Sequence, residues 1–93
     1  MESQAEENTR EVQISSNEYR ALIDIRGLQE QAYWMVMTAE HRPRGRYALK
    51  GNPQAFEHLA NDLAEEVEFD LSSQSNLRHL ARLYHRLRPD DWI

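Results

Sequence analysis

The sequence predicts a mainly α fold: a small three-helix domain that allows a minimal two-strand pairing of 12–14 with 47–50, preceded by a disordered N-terminal tail. The chain has 93 residues, of which 40% are hydrophobic, and this is enough for one small core. Three stretches place apolar residues at helical spacing. One short stretch, 11–15, alternates polar and apolar residues as a half-buried strand does.

The tail is predicted over 1–10, which contain no aromatic and no branched apolar side chain. A segment of this composition buries too little apolar surface to offset its ordering entropy. The domain is therefore expected to occupy 11–93. Its first element is the alternating segment 11–15, in which Val12 and Ile14 share one face.

The first helix is predicted from about 17 to 38. Ser15 and Ser16 offer an N-cap, and Glu18 in the first turn suits the helix dipole. Gly27 weakens such a helix by about 1 kcal/mol, so a kink or close packing is expected there. An alternative breaks the helix at Gln31 and makes 33–38 a strand, joined through 39–45 to 46–50. Met, Ala and the run 29–31 favour the single helix.

Two further helices are predicted, and the sequence marks their boundaries more clearly. Pro43 and Gly45 break the chain, and Asn52 with Pro53 forms a strong helix start for a helix over about 53–68. Its apolar residues follow one stripe at helical spacing. Serines 72 and 73 then provide a cap for a third helix over about 73–87, which a proline at 89 ends.

The composition argues against several functional classes. No cysteine is present, and the longest apolar run, 32–37, has six residues, far below the ~20 that span a bilayer. We expect a cytoplasmic protein without membrane association. No glycine-rich phosphate loop or Gly-x-Ser-x-Gly motif occurs. His58 and Asp62 share a helix face, but two ligands do not make a metal site. No catalytic residue, metal or cofactor is therefore predicted, and we expect the protein not to be an enzyme.

The candidate partner-binding residues lie at the end of the first predicted helix. The apolar run there would place apolar side chains on all sides of a helix. The other two helices have one apolar stripe each, and together they could not cover all of these side chains. Methionine and aromatic side chains are enriched in interface cores. The sequence thus predicts a small protein-interaction module, binding a protein partner or forming a homodimer. Its candidate contact residues are Tyr33, Trp34, Met35 and Met37.

A second hypothesis is a regulator that binds nucleic acid through two basic elements. They are the loop 42–46 and the basic face of the third helix. The net charge of −5 disfavours this hypothesis. Ion pairing between the third helix and the acidic second helix would also explain the same arginines. The candidate polyanion-binding residues are Arg42, Arg44, Arg46, Arg78, Arg82 and Arg86.

Overall fold

The computed structural model of the chain describes residues 9–87. The elements in chain order are β1 (Arg10–Ser15), α1 (Ser16–Ile23), α2 (Glu30–Met37), β2 (Glu40–Arg42), β3 (Arg46–Gly51), α3 (Pro53–Glu68) and α4 (Gln74–Leu87). A short 3-10 turn, Pro43–Gly45, joins β2 to β3. The predicted three-helix fold class is therefore wrong. The described residues form an α+β fold with four α-helices and a three-stranded antiparallel sheet.

The sheet has the strand order β1-β3-β2, with β3 in the centre. The predicted pairing of 12–14 with 47–50 is present, and it belongs to a longer ladder that runs from Arg10 opposite Gly51 to Ser15 opposite Arg46. The strand β2 pairs with the other side of β3. The strand β2 was not predicted, because its three residues are all polar and show no apolar alternation.

The two faces of the sheet differ in composition. Ile14 and Leu49 lie on the face that joins the helices in the hydrophobic core. The opposite face carries charged residues and one fully buried small residue, Ala48, whose register partners are Gln13 and Glu40. This is the expected pattern for an antiparallel sheet with one face packed and the other toward water.

The predicted single helix over 17–38 is also wrong, since α1 ends at Ile23 and α2 begins at Glu30. The alternative strand at 33–38 is not formed either, because those residues are helical through Met37. The apolar residues that seemed to surround one helix are shared between two helices. Each helix faces the core with its own side, through residues such as Leu22 in α1 and Val36 in α2.

The predicted starts of the helices are confirmed where side chains act as caps. Ser15 and Glu18 form a reciprocal capping box at the start of α1. The Asn52 side chain accepts a hydrogen bond from the backbone N–H of Ala55 at 2.8 Å, and α3 spans the predicted 53–68. The Ser73 hydroxyl accepts one from the N–H of Asn76 at 3.3 Å, and α4 starts one residue later than predicted.

The core lies between the sheet and the two long helices. Phe56, Leu59 and Leu63 from α3 and Leu80 and Leu83 from α4 are fully or almost fully buried. Burial of such a side chain contributes about 1.5–3 kcal/mol. In this core α1 packs mainly against α4, and α2 packs mainly against α3.

Three carboxylates are buried, and each holds a point at which the chain changes direction. Glu18 accepts a hydrogen bond from the backbone N–H of Ser15 at the junction of β1 and α1. Asp62 accepts two from Gln29, just before α2. Glu66 accepts one from the Ser72 hydroxyl in the connection between α3 and α4. Each buried charge thus has a partner, as its desolvation requires.

Most of the predicted tail lies outside the described residues, as do 88–93 at the end of the predicted domain. Within the described part, β1 begins at Arg10, one residue inside the segment predicted as tail. The Arg10 guanidinium lies over the ring of Phe56, 5.7 Å from its centroid. Arg10 therefore belongs to the folded domain.

Candidate functional site

Three of the four predicted partner-binding residues are exposed on one helix, α2. The exposed fractions are 56% for Trp34, 43% for Tyr33 and 39% for Met37. The Tyr33 and Trp34 rings meet edge to face, with centroids 5.3 Å apart. Met35 is 4% exposed and belongs to the core instead. We call Tyr33, Trp34 and Met37 the α2 patch.

A polar contact at the start of α2 ties the helix to α3, and a second one at its end lies within the last turn of α2 itself. At the start, the Asp62 carboxylate accepts hydrogen bonds from the Gln29 backbone N–H at 2.9 Å and from its side-chain amide at 3.1 Å. Gln29 is the N-cap of α2 and makes no capping bond of its own. At the end, the Thr38 hydroxyl donates to the carbonyl of Trp34 at 2.7 Å. The patch therefore sits on a helix that is tied to α3.

A groove of about 500 Å³ runs beside the α2 patch, and Trp34 forms part of its wall. Its floor includes the buried Met35 and the end of β3 at Gly51. Close packing explains the glycine, since a Cβ at position 51 would lie 2.6 Å from the sulfur of Met35. The remaining lining residues are Glu30, Gln31, Thr38, Lys50, Asn52 and Ala55.

The structure brings together three of the six predicted polyanion-binding arginines. Arg46 at the start of β3 and Arg82 and Arg86 on α4 line one pocket of about 250 Å³. The loop and the third predicted helix, two separate elements in the sequence, thus contribute to a single site. We call this site the arginine pocket.

The other three arginines lie elsewhere. Arg42 forms ion pairs with Glu40 at 2.7 Å and with Glu11 at 3.5 Å on the open face of the sheet. Arg44 lies in the turn between β2 and β3 with φ of 66°. Arg78 is exposed on α4 but does not line the arginine pocket. The six residues therefore do not form one continuous basic surface.

The expected ion pairing between α3 and α4 is not found. In the part of the chain that the structure describes, no carboxylate of α3 pairs with an arginine of α4. The two helices meet instead through leucines such as Leu63, Leu80 and Leu83. Apolar packing, rather than charge, joins α3 to α4.

The open face of the sheet carries a four-residue charge network formed by Glu11, Glu40, Arg42 and Lys50. Hydrogen bonds from Lys50 and then from Arg42 hold the pKa of the Glu40 carboxyl below its ordinary value of 4.5. These charges satisfy one another across three strands. The network is a structural feature of the sheet, and within it the Arg42 side chain is already paired with Glu11 and Glu40.

The sequence did not reveal the buried carboxylates as positioning residues. Glu18 carried a signal, because Ser15 and Glu18 have the spacing of a capping box. Asp62 and Glu66 carried none, since a carboxylate on a helix is usually solvated. Within residues 9–87, no group of three or more acidic or histidine side chains comes together as a metal site. The carboxylate of Asp62 holds Gln29 instead.

Exposed apolar side chains outside α2 were also missed. Ile23 at the end of α1 and Leu71 in the connection between α3 and α4 line a depression of about 770 Å³. Asn76 donates a hydrogen bond to Asp24 at 2.9 Å across this depression. Leu71 and Phe69 are each 61% exposed. Their positions in short connections gave no periodic signal in the sequence.

Comparison with known proteins assigns the chain to no family. No family model, no curated protein and no solved structure matches it. None of the described helices has both the length and the apolar character needed to cross a membrane.

Proposed function

We propose that this protein is a small, non-enzymatic protein-interaction module that associates with a second copy of itself through the α2 patch. The observation that carries the proposal is the exposure of Trp34, Tyr33 and Met37 together on one helix. Tryptophan and tyrosine are the residues most often found as interface hot spots. Their exposure leaves apolar surface in water that an interface would cover.

The shape of this surface supports a second copy as the partner. A two-fold interface needs self-complementarity, because each residue of one copy meets the same patch of the other. The α2 patch offers the protruding Trp34 side chain, and the adjoining groove offers about 500 Å³ of space. A projecting side chain beside a shallow, open groove on the same face allows Trp34 of each copy to pack against the groove of the other.

The charges of the groove are compatible with such a contact. Glu30 and Lys50 are its charged lining residues, one of each sign. The chain as a whole carries −5, so two copies repel each other at long range. A locally neutral face is the place where that repulsion is smallest, and the dimer is expected to strengthen as salt screens the remaining charge.

The surface area available for contact limits the expected affinity of the dimer. An interface of standard size buries about 800 Å² on each partner, which is about an eighth of the 6329 Å² surface of this chain. The three side chains of the α2 patch, none of them more than 56% exposed, cannot cover that area by themselves, so the interface is small. We therefore expect a dimer with a dissociation constant in the range of about 10 µM to about 1 mM.

Sedimentation equilibrium across this concentration range tests the proposal. The wild-type chain should shift from monomer to dimer, and Trp34→Ala should remain monomeric and folded because Trp34 lies largely outside the core. Phe69→Ala is the matched control, since it removes an aromatic ring that is 61% exposed away from the α2 patch. It should dimerise as the wild type does.

Two results would overturn the proposal. One is a wild-type chain that stays monomeric up to millimolar concentration. The other is a dimer that Trp34→Ala leaves intact or that both variants weaken equally. Far-ultraviolet circular dichroism of each variant establishes that a loss of dimer is not a loss of fold.

A further inference from the structure

The arginine pocket holds more positive charge than its surroundings neutralise. Arg82 and Arg86 lie one helical turn apart on α4, and Arg46 reaches the same pocket from β3. Within residues 9–87, the side chains of Arg46 and Arg82 make no hydrogen bond and no ion pair. Like charges at this helical spacing destabilise a helix slightly, so their convergence is not explained by stability.

The buried carboxylate in the pocket positions Arg86. Glu18 accepts a hydrogen bond from Nη2 of Arg86 at 3.1 Å and one from the backbone N–H of Ser15 at 2.9 Å. The same Nη2 donates to the carbonyl of Gln13 at 3.3 Å. A guanidinium has five N–H donors, so these contacts fix its orientation and leave further donors unused. Glu18 cancels one of the three positive charges, and the pocket retains about two.

The size of the pocket restricts its ligand. A volume of about 250 Å³ corresponds to about eight water molecules at ~30 Å³ each. A tetrahedral phosphate has five non-hydrogen atoms and carries a charge of about −1.5 to −2 at neutral pH when it is a monoester. Guanidinium groups bind such oxygens through paired hydrogen bonds. The residual positive charge of the pocket and its volume are therefore both compatible with one small dianion.

We propose that the arginine pocket binds a single tetrahedral oxyanion of the phosphate-monoester class, held by Arg46, Arg82 and Arg86 with Glu18 as the positioning residue. The proposal narrows the nucleic-acid hypothesis to one phosphoryl group, because only three of the six candidate arginines line a common pocket. It lies on β1, β3, α1 and α4, away from the α2 patch. The two proposals can therefore fail independently.

Titration with inorganic phosphate, followed by NMR of the arginine side-chain N–H groups at constant ionic strength, tests this site. The wild type should show saturable shifts, with those of Arg86 among them. The double variant Arg46→Gln/Arg82→Gln should weaken the affinity at least about tenfold, because each charge-assisted hydrogen bond contributes about 1.5–3 kcal/mol. Both replaced side chains are exposed, so the variant should fold.

The matched control is Arg20→Gln/Arg26→Gln, which lowers the net charge by the same two units. Both of its arginines are exposed and neither lines the arginine pocket. Its affinity for phosphate should stay within about twofold of the wild type, since distant exposed charges are largely screened. Equal weakening in both double variants would show a general charge effect and overturn the proposal.

A single-stranded oligonucleotide serves as the second probe. If the oligonucleotide binds more tightly than phosphate, with a steep dependence on salt, and phosphate gives no saturable response, the proposal of a phosphate pocket is wrong. That result would point to an extended contact that includes Arg44 and Arg78. Comparable affinity for phosphate and for a small phosphate monoester, with no gain from the oligonucleotide, supports the pocket.

Discussion

Replacing Asp62 by alanine removes the carboxylate that holds the start of α2. Its two hydrogen bonds to Gln29 are lost. A hydrogen bond to a charged group contributes about 1.5–3 kcal/mol, and here each contributes less, about 1–1.5 kcal/mol, because Gln29 is exposed to water. The two bonds together amount to about 2–3 kcal/mol. The higher helix propensity of alanine returns about 0.5 kcal/mol, so we expect a net loss of about 2 kcal/mol.

Urea denaturation at neutral pH measures this loss, and the adjacent Asn61→Ala is the control. Asn61 is exposed on the same helix and its side chain makes no hydrogen bond within the described residues, so its replacement by alanine should be neutral or slightly stabilising. A loss of about 2 kcal/mol in a chain of this size lowers the melting temperature by roughly 8–16 °C. The control should melt at or above the wild-type temperature.

Hydrogen exchange localises the effect. In Asp62→Ala the backbone amide of Gln29 should exchange faster, while the amide of the buried Leu80 should follow only the change in global stability. If Asp62→Ala and Asn61→Ala have the same stability within about 0.5 kcal/mol, then Asp62 does not position α2. Loosening of α2 should also weaken the dimer, since this helix carries Trp34.

Three further changes test particular contacts. Gly51→Ala should destabilise the protein by about 1–3 kcal/mol in thermal denaturation, because the new Cβ would meet the sulfur of Met35 at 2.6 Å and must displace it. Gly27→Ala should stabilise it by about 0.4–1 kcal/mol, since nothing lies within 4 Å of a Cβ there; a lower melting temperature would contradict this. The pKa of Glu40 is lowered in the folded state, so the difference in melting temperature between wild type and Glu40→Gln should be constant above the ordinary carboxyl pKa of 4.5 and should shrink as the pH falls through the lowered pKa. A difference that grows on acidification would refute this sign.

The sequence alone determined the elements whose signals are local. The helix α3 has a cap at Asn52, a proline at its first position and one apolar stripe, and each of these acts within a few residues. The helix α4 was found for the same reason. The pairing of β1 with β3 was also predictable, because Val12 and Ile14 alternate with polar residues. The apolar run of α2 also predicted exposed side chains, and Tyr33, Trp34 and Met37 are exposed, whereas Met35 of the same predicted set is buried.

Tertiary structure decided everything that depends on residues distant in the chain. The break between α1 and α2 is held by Asp62, which is 33 residues from Gln29 in sequence. The strand β2 exists because β3 offers it a partner, as its own residues have little strand preference. Arg46 and Arg86 share a pocket only because antiparallel pairing brings β3 beside β1, whose Gln13 carbonyl accepts a hydrogen bond from Arg86. Contacts of this kind leave no periodicity in the sequence, because their geometry is set by how the layers pack and not by the spacing of residues along one element.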